Sequence, residues 1–223
     1  MAFHSSSTKI DLEHMMDSRS PVKRGPKPKT GTRERLIQSG IQTIHASGSG
    51  GTSVQSIVEA ADVPRDPFTI FFPSKEAFAA EVIDAYSNRA QQRLRGFLLN
   101  QAITPRARLE AYFDDRIEAF RTAQYVRGCL MGNFSAEAAD QSALIRDRLT
   151  KHFGVWWELL EACIAEAQKQ EELSDQISAS LLAKFLLNSW EGALLRMRAE
   201  KSDTPLLDFK KIVFKKLFER PRS

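Results

Sequence analysis

Between Gly51 and Phe78 the sequence reads GTSVQSIVEAADVPRDPFTIFFPSKEAF, with helix starts and stops in close alternation. Thr52 and Gln55 form a capping-box pattern that opens a helix, and Val54, Ile57, Val58 and Ala61 point inward from it. Asp62, Val63 and Pro64 make a tight turn, and a short helix follows from about Arg65 to Phe71. Pro73 ends that helix. Ser74 caps the next, with Glu76 in its favourable first turn, and this helix is expected from Lys75 to about Phe97. Upstream, Leu36, Ile37, Gly40, Ile41 and Ile44 recur at spacings of three and four. They predict a helix from Thr32 to Ala46, stopped by SGSGG. Three short helices with a tight turn between the second and third have the geometry of a helix-turn-helix module.

The charge pattern ahead of this module is informative. The formal net charge is only +4, but Arg19 to Arg33, RSPVKRGPKPKTGTR, holds six basic residues and no acid. Proline and glycine keep this stretch from forming a stable helix. A flexible basic arm ahead of a folded domain suits contact with nucleic acid phosphates or a minor groove. A solvated tail that aids solubility is the other reading of the same composition.

Downstream the chain also reads as helix. Pro105 sits near a helix start, and Leu109, Phe113, Ile117 and Phe120 form a stripe that runs up to Tyr125. Arg127 to Asp140 is a break followed by a short helix. A long helix is expected from about Ser142 to Gln168, with Ile145, Leu149, Phe153, Trp156, Leu160 and Ile164 inward. Ser178 to Ala199 carries an apolar face wider than one contact needs, from Leu181 to Met197. Such a face suits a helix packed both into its own domain and against a partner subunit. A last helix, Leu206 to Glu219, offers Leu207, Val213, Phe214, Leu217 and Phe218 on one side. The two final helices are the dimerisation candidates; completion of a monomeric bundle is the alternative.

Composition excludes several classes. Hydrophobic residues at 42% and charged residues at 27% are globular values. No apolar run approaches a membrane span, and the polar start lacks the apolar core of a signal peptide. Two cysteines, Cys129 and Cys163, cannot build a disulfide framework, so reduced thiols in a cytoplasmic protein are expected. The four histidines are scattered without metal-ligand spacing, so neither a metal site nor a cofactor is expected. Glu110, Asp114 and Glu118 share a helical face, but exposed acids on a helix usually face water, and no catalytic residues are assigned.

The segment Thr32 to Tyr86 resembles the DNA-binding domain of the TetR family of bacterial transcriptional regulators. The matching stretches are TRERLIQSGIQTIHASG, GTSVQSIVEAADVP and FFPSKEAFAAEVIDAY, of which FFPSKEAF is the most specific. GCLMGNFSAEAAD followed by FGVWWELLEACIAEA looks like one branch of that family, so the resemblance covers nearly the whole chain after residue 30. It implies an all-α fold in three parts. Residues 1–30 are a basic arm, residues 31–76 a helix-turn-helix DNA-binding domain, and residues 77–223 an effector-binding and dimerisation domain. In the family, ligand binding usually releases the DNA.

The same resemblance implies site residues. Thr52 and Ser53 should meet phosphate, as should Lys75 at the start of the fourth helix. Arg65, Asp66, Pro67, Thr69 and Ile70 lie on the recognition helix, with Phe68 and Phe72 facing the module's core. Arg24, Lys27 and Lys29 are arm candidates for groove or phosphate contact, which supplies affinity rather than sequence code. His45, near a helix end, reads as a cap or surface residue. The recognition element departs from the family pattern. Asp62 stands where the turn usually has glycine, which Asp tolerates better than most residues. Asp66 can serve as N-cap with Pro67 at the first helical position, leaving a very short helix. Ile70 can touch a thymine methyl, and Asp66 can accept from a cytosine amino group.

For an effector pocket the sequence offers Phe113, Phe120, Phe134, Trp156, Trp157 and Trp190, with Asn133 and Asn188 as polar groups. An apolar or amphipathic effector is expected. Adjacent Trp156 and Trp157 cannot both face inward. The leading function is therefore a ligand-responsive regulator, a repressor by family habit, binding a palindromic operator as a homodimer. The alternative is a helical sensor or scaffold protein whose DNA recognition has degenerated.

Overall fold

The structure is a computed structural model that describes residues 30–218, so the arm candidates Arg24, Lys27 and Lys29 lie outside the described residues. Every regular element among the described residues is helical: α1 Thr32–Gly51, α2 Val54–Ala60, α3 Asp66–Phe71, α4 Lys75–Leu98, α5 Pro105–Thr122, α6 Leu130–Ala138, α7 Ala143–Lys169, α8 Ala179–Glu200 and α9 Thr204–Ile212. A π-helical turn, Val213–Leu217, continues α9. The first three helices and the start of α4 form the helix-turn-helix bundle, and α4 carries the chain into a larger C-terminal bundle. No described helix is long and apolar enough to cross a membrane.

Caps set most of the helix starts. The side chains of Ser74, Thr104, Ser142 and Ser178 each accept a hydrogen bond from a backbone N–H in the first turn of α4, α5, α7 and α8. Two local details differ from expectation. The capping box of α2 is built by Ser53 and Ser56 rather than Thr52 and Gln55. Thr52 is buried, and its hydroxyl donates to the Gly48 carbonyl at 2.6 Å. That bond closes a break in α1, where Gly48 has φ 74° and ψ 168°. Few side chains tolerate such a backbone, so the helix continues past Ala46 only through this glycine kink.

The turn after α2 bears out the reasoning about Asp62, which adopts a left-handed φ of 50°. Asp66 is not the cap of α3. Arg65 holds that position without a side-chain hydrogen bond, and Pro67 falls in the first turn, where its missing N–H costs nothing. The end of the chain also needs correction. Leu206, Phe209, Val213, Phe214 and Phe218 face inward, whereas Leu207 points out. Val213, Phe214, Leu217 and Phe218 pack against the core as expected, the π-helical turn carrying them round, so the correction falls on Leu207 alone.

Aromatic packing locks both bundles. Phe68, Phe72 and Phe78 meet at ring separations of 4.9–5.3 Å and hold α3 against α4. Phe113, Trp190 and Phe209 do the same for α5, α8 and α9 at 5.0–5.2 Å. His45 is not a surface residue. It is buried edge-on against Tyr86, with ring centroids 5.5 Å apart and no well-formed hydrogen bond to either ring nitrogen. Burial, helped by nearby Arg127 and Arg198, lowers its pKa to about 4.

Candidate DNA interface and effector groove

Packing sorts the residues of α3 and its cap Arg65, with Phe71 half-buried. Phe68 is buried, while Arg65, Asp66, Thr69 and Ile70 are exposed and Pro67 is half-buried. Ile70 is 64% exposed. The Thr69 hydroxyl donates to the Asp66 carbonyl at 2.9 Å, so part of its polarity is already used within the helix. Ser53 is exposed but engaged in the α2 capping box. Thr52, by contrast, is turned into the protein. Lys75 is exposed, and its Nζ donates to the Ser49 carbonyl at 2.9 Å. Ser53, Arg65, Asp66, Thr69, Ile70 and Lys75 are thus all solvent-exposed residues of the helix-turn-helix module and the start of α4.

The C-terminal bundle holds an open groove of about 950 Å³ between α6, α7 and α8. Ala136, Phe153, Trp157, Leu187 and Leu195 supply its apolar walls. Lys184, Asn188 and Glu191 supply its charged and amide groups. Of the aromatics expected around an effector, only Trp157 lines this groove. Phe113 and Phe134 are fully buried in the core. Trp156, Trp190 and Phe120 face instead a small cavity of about 40 Å³ beside Tyr86 and Tyr112, room for little more than a water. Asn188 reaches the groove, whereas Asn133 accepts from Arg198 at 3.3 Å.

Glu191 had no place in the sequence reading. Its signal was present: an acid between Trp190 and Leu194 on a helix otherwise read as apolar. Burial pushes its carboxyl up to about 7, partly opposed by the neighbouring Cys129 thiol. The Gly132 backbone makes this possible, because a Cβ there would stand 2.6 Å from Glu191 Oε2. Burial, reinforced by Glu191, holds the Cys129 thiol well above its ordinary value, and burial pushes Cys163 to about 12. Both thiols are therefore protonated at neutral pH. The carboxylate row of α5 is ion-paired instead of forming a site. Lys210 Nζ lies 3.2 Å from Glu110 and 2.5 Å from Asp114, and Glu118 pairs with Arg121.

Two polar seams join groove to DNA-binding module. Glu137, the residue after the groove residue Ala136 on α6, accepts from the Ser49 backbone N–H at 2.5 Å and from its hydroxyl at 2.9 Å. Ser49 is the residue whose carbonyl holds Lys75. Glu76 of α4 accepts from Ser142, the cap of α7. Deeper, buried His152 of α7 bridges two α4 side chains, with Nε2 2.7 Å from Asp84 and Nδ1 3.1 Å from Gln91.

Comparison with known proteins agrees with this geometry. Residues 105–213 match the tetracyclin repressor-like C-terminal domain. The chain is 35% identical over 189 residues to the HTH-type transcriptional repressor DhaR of Mycobacterium sp. (strain GP1), covering 85% of this chain and 93% of that protein. It is 30% identical over 176 residues to the transcriptional regulator AcuR of Cereibacter sphaeroides, covering 79% and 80% of the two. The structure of Escherichia coli NemR in its reduced form superposes with a TM-score of 0.80 at 27% identity, covering 86% of this chain and 99% of that one.

Proposed function

Because the chain belongs to the TetR family of ligand-responsive, DNA-binding transcriptional regulators, we propose that it is a repressor that binds a palindromic operator as a homodimer and releases it on binding a small apolar or amphipathic effector. Members of the family are DNA-binding regulators rather than enzymes. The observation that carries the proposal is the division of α3. Its single buried aromatic locks the helix while Arg65, Asp66, Thr69 and Ile70 are presented outward.

Each residue has a role in this reading. Arg65 contacts phosphate or a guanine edge, and Ile70 packs on a thymine methyl. Asp66 accepts from a cytosine amino group. Lys75 and the arm residues Arg24, Lys27 and Lys29 neutralise phosphates. Dimerisation runs through α8 and α9. Leu181, Phe185 and Leu195 on α8 and Leu207 and Ile212 on α9 are large, apolar and exposed, a surface that a second copy would bury. The relatives DhaR and NemR are named as repressors, which supports that sign of regulation. The alternative of a TetR-like sensor or scaffold rests on one feature, the carboxylate of Asp66 exposed on a recognition helix of only six residues.

The test is selection of binding sites from a random duplex library by the purified full-length protein, with enriched sequences re-measured across a salt series. The expected result is a palindromic motif bound far more tightly than scrambled DNA, with affinity falling steeply with salt. Folded dimer that enriches no motif at low salt would overturn the regulator reading in favour of the sensor.

A further inference from the structure

Two buried polar atoms belonging to groove residues have no hydrogen-bond partner in the protein: Trp157 Nε1 and Glu191 Oε1. An unmet buried donor and an unmet buried acceptor are each costly to keep. Their walls are apolar on both sides, with Phe153 from α7 and Leu187 from α8. Lys184 Nζ lies over the Trp157 indole, 3.9 Å from its ring centroid, on a long side chain that can swing to water.

We propose that this groove recognises a small apolar molecule carrying one neutral head group that both donates and accepts a hydrogen bond, an alcohol or a carboxamide, with Glu191 and Trp157 as its recognition pair. The proposal rests on the reading of the C-terminal helices as an effector domain and specifies that effector's chemistry. The indole N–H donates to the head group, and the Glu191 carboxylate accepts from it. A head that also accepts satisfies Glu191 when the carboxyl holds its proton, as its raised pKa of about 7 allows. A carboxylate ligand would set a second anion beside Glu191, and an ammonium ligand has no acceptor for the Trp157 indole N–H. Either charge would have to be desolvated to reach the buried atoms. A plain hydrocarbon would leave both atoms unmet, and sites built to hydrogen-bond a group reject analogues lacking it.

The test uses the full-length protein and ligand-observed NMR titrations with five probes of one aromatic body: benzyl alcohol, benzamide, toluene, benzylamine and benzoate. Benzyl alcohol and benzamide are expected to bind about tenfold or more tightly than the other three. Glu191→Leu is expected to reduce benzyl alcohol to the level of toluene, and Trp157→Phe to weaken it without weakening toluene. Glu191→Gln, which keeps an acceptor and a donor at the same place, should retain the preference and guards against a folding artefact, with circular dichroism checking all variants. Toluene, benzylamine or benzoate binding as tightly as benzyl alcohol would overturn the proposal. So would a preserved preference in folded Glu191→Leu, or no probe bound by the folded dimer. Duplex binding by the same preparation separates the two readings. Operator binding without probe binding defeats this inference alone, and probe binding without any enriched duplex defeats the repressor reading alone.

Discussion

Single residues carry opposing pH dependences. His45 is buried with its pKa lowered from 6.5 to about 4, so the unfolded chain binds its proton more readily. The stability tied to neutral His45 is intact above about pH 6.5 and is lost as pH falls toward 4, by up to about 3 kcal/mol. His45→Leu should flatten the acid limb of a chemical-denaturation pH series relative to the unchanged protein. Glu191 runs the other way. Its carboxyl is raised from 4.5 to about 7, so the folded protein holds a proton that the unfolded chain releases. The penalty for ionising it sets in as pH rises from 4.5 through 7. Glu191→Gln is therefore expected to stabilise at pH 8 by up to about 3 kcal/mol and to change little at pH 4. At the DNA face, Arg65→Ala should cost about 1–3 kcal/mol of operator affinity if its contact is to a base, whereas Lys75→Ala should weaken all duplexes alike and reduce the salt slope by about one. Binding isotherms at several salt concentrations distinguish the two.

At the scale of elements, α6 has two neighbours that matter. It forms one wall of the groove through Gly132 and Ala136, and Glu137 at its far end grips Ser49 beside Lys75. Gly48 lets the chain approach, since a Cβ there would stand 2.9 Å from the Glu137 carboxylate. Displacement of α6 by a bound molecule would therefore pull on the residue that positions Lys75. Glu137→Gln should keep part of the Ser49 contact, and Glu137→Ala should lose it. The expected outcome is a graded fall in the difference between operator affinities measured with and without effector, the alanine variant showing the larger loss. An unchanged difference in both variants would place the coupling in the α4–α7 contacts through His152 and Asp84 instead. The helices themselves were largely legible in the sequence, because caps and periodic apolar residues are local signals. The missed details, Thr52 turned inward and the π-helical turn after Ile212, depend on how one element sits on another.

For the whole molecule, the broad apolar face of α8 splits in two. Leu182, Leu186, Trp190, Leu194 and Met197 are buried in the bundle, while Leu181, Phe185 and Leu195 stay outside it. The expectation of a face wider than one contact needs describes this helix well. If a second copy covers the outer set, Leu181→Asp with Phe185→Asp, neither of them a groove residue, should shift the protein to a monomer in sedimentation while leaving its helical content unchanged. Palindromic DNA binding should fall with it, because two half-sites need two linked modules.

Local chemistry in the sequence was enough for the helix-turn-helix and the helical C-terminal part, since capping residues, prolines and 3.6-residue periodicity act within one or two turns; the family was legible only as a resemblance, carried above all by FFPSKEAF. The effector groove was not readable in the same way. Aromatics spaced for a helix look alike whether they fill a core, as Phe113 and Phe134 do, or line an opening, as Trp157 does. Which of them faces empty space is set by how α6, α7 and α8 diverge. Only that tertiary arrangement brings Glu191 over Gly132 and leaves its Oε1, with Trp157 Nε1, without a partner, because desolvation is a property of the assembled surroundings and not of the residue.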